Sequence, residues 1–187
     1  KTDAGLFNVH KVDDKYFYEI PDSLLEREML MVPRKAKTAD DFGYGGEVLN
    51  EEQVLRWQVK DKKVLLRVVS YNNVASEELP VAQSVRNSNF EPIIQSFDIK
   101  AYGKDSSVVI DVTPLFTKDV PAFGLTDATR KQYKVSSLDE SRTYIETIRR
   151  FPINIDVPNV LTYKATEPPP HSQTQTPCPL VGRLLLS

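Results

Sequence analysis

Between Gly5 and Val32 the chain alternates apolar and polar residues, turns at Asp13-Asp14, alternates again, and breaks at Pro21-Asp22-Ser23 before a third apolar run. Successive side chains of a strand point to opposite faces, so this period-two pattern calls for strands with one face buried. The segment therefore reads as a β-meander with a short helical turn. In its first hairpin, residues 6–12 and 15–20, Phe7 and Val9 share one face, and Tyr16, Tyr18 and Ile20 share a face of the partner strand. Asp13-Asp14 supplies the turn. Pro21-Asp22-Ser23 suits a helix start on which Leu24-Leu25 can pack, and Met29 to Val32 reads as a third strand.

From Arg34 to Gly46 the composition shifts to Lys, Asp, Thr and Gly, which marks a loop and the best internal boundary of the chain. A second hairpin follows, with Leu55, Trp57 and Val59 alternating against Arg56 and Gln58, a turn at Lys60-Asp61-Lys62, and a return strand over 64–71. That return strand is apolar on both faces, as a central strand would be. Residues 79–89 suit a short helix with Val81 and Val85 facing inward. Ile93-Ile94, Phe97 and Ile99 continue the buried pattern, and Val108 to Val112 is a strand. At Thr113-Pro114 a helical turn can start, with Thr as cap and Pro in the first position. The clearest helix signal spans Leu138 to Phe151: Ser137 and Glu140 form a capping box, Tyr144, Ile145, Ile148 and Phe151 make one stripe, and Arg149-Arg150 precede the stop at Pro152. Val157 to Tyr163 is a final strand. Strands joined mostly by short turns, with one or two packed helices and no βαβ alternation, predict an α+β, mainly antiparallel fold. The expected organisation is a β-meander module over 1–46, a β-rich module over 47–167 that is incomplete, and a tail over 168–187.

A length of 187 residues allows one domain, or one domain with a small appended module, and 40% hydrophobic residues are enough for a packed core. With 24 basic and 26 acidic residues the formal net charge is -2, which offers nothing to steer nucleic acid or anionic lipid. No apolar run approaches the length of about 20 residues that a membrane span requires. The chain starts at Lys1 without an apolar leader, so a secretion signal is expected to have been removed or to lie outside it. One cysteine, Cys178, permits no internal disulfide.

The residues able to carry chemistry are few. A zinc site needs three or more converging ligands, typically with two histidines one helical turn apart, whereas the only histidines here are His10, in a strand, and His171, in the tail. Cys178 and His171 lie in a Pro-rich segment, where an incidental pair is the ordinary explanation. Gly43-Tyr-Gly-Gly46 lacks the Gly-Lys-Ser/Thr of a phosphate-binding loop and reads as a surface connection. Ser70-Tyr71-Asn72-Asn73 and Arg86-Asn87-Ser88-Asn89 suit backbone capping and turns. Asp13-Asp14 and Asp40-Asp41 read as solvated turns, and Trp57 as core.

Several long phrases resemble, in order, the N-terminal region of a family of large bacterial zinc-dependent metalloproteases. They are GLFNVHKVDDKYFYEIPDSLL from Gly5, LLRVVSYNNVA from Leu65, SVRNSNFEPIIQSFDIKAY from Ser84, VVIDVTPLFTKDVPAFGL from Val108 and FPINIDVPNVLTY from Phe151. The resemblance covers residues 5–167. It implies two adjacent domains of unknown function preceding an HExxH-type peptidase domain, a motif this chain does not contain. It also implies export to the periplasm or cell surface, zinc held by the downstream domain, and a role as noncatalytic scaffold packing on that peptidase domain or shaping its cleft, where peptide substrate would pass. Within this fragment no catalytic, cofactor-binding or metal-binding residue is expected. Arg86 and its neighbours fall inside one of the phrases, which leaves contact with another domain open beside the turn reading. The alternative function is a module that binds peptide or glycan independently of catalysis, with an exposed aromatic patch or an open strand edge. An independent small enzyme is the weakest reading, since no nucleophile, base and oxyanion donors assemble. Beyond Glu167 the resemblance stops and the text turns Pro-rich. A disordered linker would explain this, as would a C-terminus that is not the natural one. The second is favoured because the only Cys and an isolated Leu-Leu-Leu run appear there.

Overall fold

The computed structural model describes residues 2–3, 5–38, 42–71, 76, 78–166 and 177–186. In chain order its strands are β1 (Thr2–Asp3), β2 (Asn8–Val12), β3 (Lys15–Ile20), β4 (Glu28–Lys35), β5 (Gln53–Lys60), β6 (Lys63–Val69), β7 (Ile93–Tyr102), β8 (Val108–Asp111), β9 (Val135–Leu138), β10 (Tyr144–Ile145), β11 (Arg149–Arg150), β12 (Asn154–Ala165) and β13 (Pro177–Leu186). Three short helices complete the set: α1 (Ala82–Ser88), α2 (Thr113–Thr117) and α3 (Asp127–Gln132). The strands form one antiparallel sheet in the order β1-β2-β3-β8-β7-β6-β5-β4-β13-β12-β10, with β9 and β11 also on β12. With 45% strand and 15% helix, the molecule is a half-barrel sheet, more β-rich than the expected α+β mixture. Each helix is seven residues or shorter.

The sheet curves where β7 changes partner. Its first half pairs β6, its second half pairs β8, and the register shifts between Ile99 and Ala101. Such an irregularity bends a strand and raises its twist. Both hairpins form as the alternation predicts. Asp13 and Asp61 take the left-handed conformation at the turns, φ 51° and 54°, which aspartate tolerates better than most residues. Trp57 lies at the centre of the concave face, 1% exposed, with the rings of Phe7 (6.4 Å), Tyr18 (6.5 Å) and Phe97 (5.7 Å) around it. Phe7, Tyr18, Ile20, Met29, Leu55, Leu66 and Ile110 fill the same cluster. A smaller cluster of Phe42, Leu49, Leu125, Leu138, Leu161 and Tyr163 sits apart from it. There the Phe42 and Tyr133 rings stack at 3.9 Å, and Tyr163 Oη accepts from the Leu125 amide at 3.1 Å.

Four expectations need correction. The helix over 138–151 is replaced by the end of β9, a 3₁₀ turn at Glu140–Arg142, and the short strands β10 and β11. Thr143, Tyr144, Ile145 and Thr147 favour extended backbone, and β12 offers them a ladder, with Tyr144 opposite Val160 and Arg149 opposite Asp156. The capping box of Ser137 and Glu140 gives way to Asp139, whose carboxylate accepts from the Ser141 amide at 3.1 Å and from Arg142. At the short helix α1, Ala82 is buried, Val85 is half-buried and Val81 is exposed, because the helix starts at Ala82 and leaves Val81 in the turn before it. Thr113 is the first residue of α2 and does not cap it; its Oγ1 accepts instead from the Tyr16 amide at 2.8 Å, joining α2 to β3. Finally, the expected tail contains β13, a ten-residue strand inserted between β4 and β12. Alternation does not reveal it, since its run Pro-Cys-Pro-Leu-Val-Gly-Arg-Leu-Leu-Leu carries no period of two.

Candidate functional site

One polar arrangement within the sheet centres on Glu19. In the hairpin register Asn8 lies opposite Glu19, and the β7–β8 turn brings Ser107 to the same carboxylate. His10 Nε2 and Glu19 Oε2 are 2.8 Å apart, Asn8 Nδ2 donates to Oε2 at 3.3 Å, and Ser107 Oγ donates to Oε1 at 2.8 Å. The hydrogen bond with His10, then that from Ser107, holds the Glu19 carboxyl below the usual glutamate range, while its partial burial acts the other way. Gly103 completes the fit: a Cβ there would overlap Ser107 Oγ and Glu19 Oε1.

His, Glu and Ser together invite comparison with a nucleophilic triad, but the order is wrong for one. Activation of a serine needs the imidazole between hydroxyl and carboxylate, so that it can take the hydroxyl proton. Here the carboxylate stands between the other two, and its depressed pKa makes it a poor base. The arrangement ties β2, β3 and the β7–β8 turn together.

Two larger hollows flank the sheet. One, of about 350 Å³, is bordered by Lys11, Asp14, Tyr16, Thr117, Glu140 and Tyr144. The threonine hydroxyls along it serve the fold: Thr117 Oγ1 donates to the Thr113 carbonyl at 2.9 Å and Thr143 Oγ1 to that of Asp139 at 2.9 Å. The other, of about 370 Å³, is an apolar groove between Val68, Ile93, Ile94, Pro121 and Ala122, with Gln53 at its side. Gln53 Oε1 is buried there and has no hydrogen-bond partner among the described residues.

The remaining candidates disperse. His171, Asp40, Asp41, Asn72 and Asn73 lie outside the described residues, and Cys178 occupies a position in β13 opposite Leu161. The Gly43–Gly46 stretch is a turn held from within. Gly43 and Gly46 have φ of 81° and 93°, and the Gly46 amide donates to the Lys35 carbonyl at 2.6 Å. Tyr71 Oη donates to Glu28 Oε2, whose carboxylate also meets Arg56. Asn87 accepts from Gln83 within α1, and Trp57 is core. Among the described residues no group of three or more His, Cys, Asp or Glu side chains could hold a metal ion, and no helix is long and apolar enough to cross a membrane.

Sequence reasoning missed two paired cations. Lys35, 7% exposed, bonds Glu47 Oε2 at 2.9 Å and the Phe42 carbonyl at 3.2 Å. Arg130 makes a two-pronged contact with Asp119 at 2.6 and 2.9 Å beneath the Tyr163 ring. Lys35 left no signal, since β4 also carries Glu28 and Arg34 and Lys35 sits beside the latter at the strand's polar end. Arg130 left none either, because its partner is eleven residues away in the loop between α2 and α3.

No curated protein and no solved structure matches the chain. Two family matches do cover it. Residues 1–38 match the domain of unknown function DUF5118, and residues 46–180 match the domain of unknown function DUF5117. The second match spans most of the sheet, from the turn before β5 into β13, and on that ground the chain belongs to the DUF5117 family.

Proposed function

We propose that this chain is a noncatalytic scaffold portion of an exported zinc-dependent metalloprotease, packing on a downstream peptidase domain or shaping the cleft through which peptide substrate passes. The observation that carries the reading is the ordered series of phrases over residues 5–167 that resembles the N-terminal region of such proteases. The geometry around Glu19 is in keeping with it, since the histidine, carboxylate and serine cross-link strands in an order unsuited to nucleophilic attack. Zinc, on this reading, belongs to the peptidase domain. The test is to dialyse the 187-residue chain against zinc and assay it on casein. No retained stoichiometric zinc and no cleavage are expected; retained zinc with cleavage lost on chelation would reject the noncatalytic role.

A second reading, recognition of peptide or glycan, is favoured by one observation. Phe90 is 74% exposed with the Arg67 guanidinium 5.0 Å from its ring centre, and Tyr144, also exposed, borders the hollow of about 350 Å³. Saturable binding to a peptide or glycan array, lost in Phe90→Ala or Tyr144→Ala, would bring that reading forward.

A further inference from the structure

We propose that the 46–180 segment carries a strand-acceptor surface whose partner is the 1–38 segment, so that the two matched families are halves of one cooperative unit. Two strands of the first segment pair with the second. β4 pairs β5 with Leu30 opposite Val54, Lys35 lies opposite Leu180 where the second segment enters β13, and β3 pairs β8 with Tyr18 opposite Ile110. The core is shared as well. Phe7 and Tyr18 from the first segment form two sides of the aromatic cage around Trp57, and Met29 and Met31 are buried with Leu55 and Leu66.

The connection between the segments is a latch. The Lys35 amide donates to the Glu47 carbonyl at 2.9 Å, the Leu49 amide to Pro33 at 3.0 Å, and the Lys35 ammonium bonds Glu47 across the loop. Phe42, inside that loop, stacks on Tyr133 of the second segment. A 46–180 segment alone would leave one edge of β5 unpaired and open the Trp57 cage to water. The first segment alone, four strands of two to eight residues, has too little apolar surface to stand by itself. The surface is thus chemically specific: it accepts a hairpin with inward aromatic residues followed by an eight-residue strand with Met29 and Met31 on its buried face.

Nicking the full chain tests this. A recognition sequence for a specific protease replaces residues 39–41, and the purified protein is cut and passed over a sizing column in native buffer. The two pieces are expected to co-elute as one species and to unfold in a single transition followed by Trp57 fluorescence. Hydrogen exchange on the uncut natural chain tests the same point without any replacement: amides of β3 and β4 should open with the same denaturant dependence as those of β5 and β6. Pieces that separate in native buffer would overturn the proposal. So would β3 and β4 amides that open in a separate, earlier step while β5 and β6 stay protected.

Discussion

The β5–β6 hairpin and the segment 138–151 each carry a periodic apolar pattern, yet one forms the element its pattern predicts and the other does not. In the hairpin, each inward position is matched across the ladder by another: Trp57 faces Leu66 and Leu55 faces Val68. Local preference and tertiary packing then agree. In 138–151 only Ile145 and Ile148 of the stripe Tyr144, Ile145, Ile148 and Phe151 pack against the core, and only partly. Tyr144 and Phe151 are 54% and 42% exposed, and the backbone pairs with β12 instead. Most helix stability comes from packing of the apolar face, so a stripe half of which stays exposed loses to a strand edge that offers hydrogen bonds.

Trp57→Ala strikes the better-packed region and should have the largest effect, a loss of about 3–5 kcal/mol in urea unfolding. Near-natural stability in that variant would mean the cage of Phe7, Tyr18 and Phe97 is not the main core. Leu138→Ala probes the start of the other region, where Leu138 is 6% exposed in the smaller cluster. A loss of about 2 kcal/mol is expected, the low end for a buried leucine, because its cluster is much the smaller of the two. If the two losses proved equal, the smaller cluster would have to be ranked with the main core.

Acid titration separates the regions further. The carboxyl of Glu19 lies below its ordinary value of 4.5, so it favours the folded state above that pH, and the advantage fades as pH falls through the folded value. Glu19→Gln should therefore lower the melting temperature at pH 7 and match the natural protein at strongly acidic pH. A melting-temperature difference that persists unchanged into acid would remove the charge from the explanation. In the 3₁₀ turn, hydrogen bonds from Ser141 and then Arg142 bring the Asp139 carboxyl down to about 2 from 3.8. Asp139→Asn should give the smallest loss of the four, visible above pH 4, shrinking toward pH 2 and weakened by salt. A salt-independent loss would point to the Ser141 amide bond alone.

Much of the fold can be read along the chain where alternation is clean. The β2–β3 hairpin, the run from Met29, both aspartate turns and the buried Trp57 follow from it. The polar network could not be read in the same way. His10 and Glu19 are neighbours in one hairpin, and a reader aware of the register could join them, but Ser107 reaches Glu19 from 88 residues away. Lys35 with Glu47 and Arg130 with Asp119 likewise need the loop or helix to be in place before the pair exists.

Side-chain periodicity and turn chemistry are local properties, and the sequence by itself determined which hairpin strands bury one face, where the hairpins turn, and that Trp57 enters the core. Only the tertiary structure decided that β4 lies between β5 and β13, that β3 pairs β8, and that 138–151 extends along β12. The reason is that strand partners are chosen by what surface remains to be covered once the nearest hairpins have formed, and residues far apart in the chain compete for it.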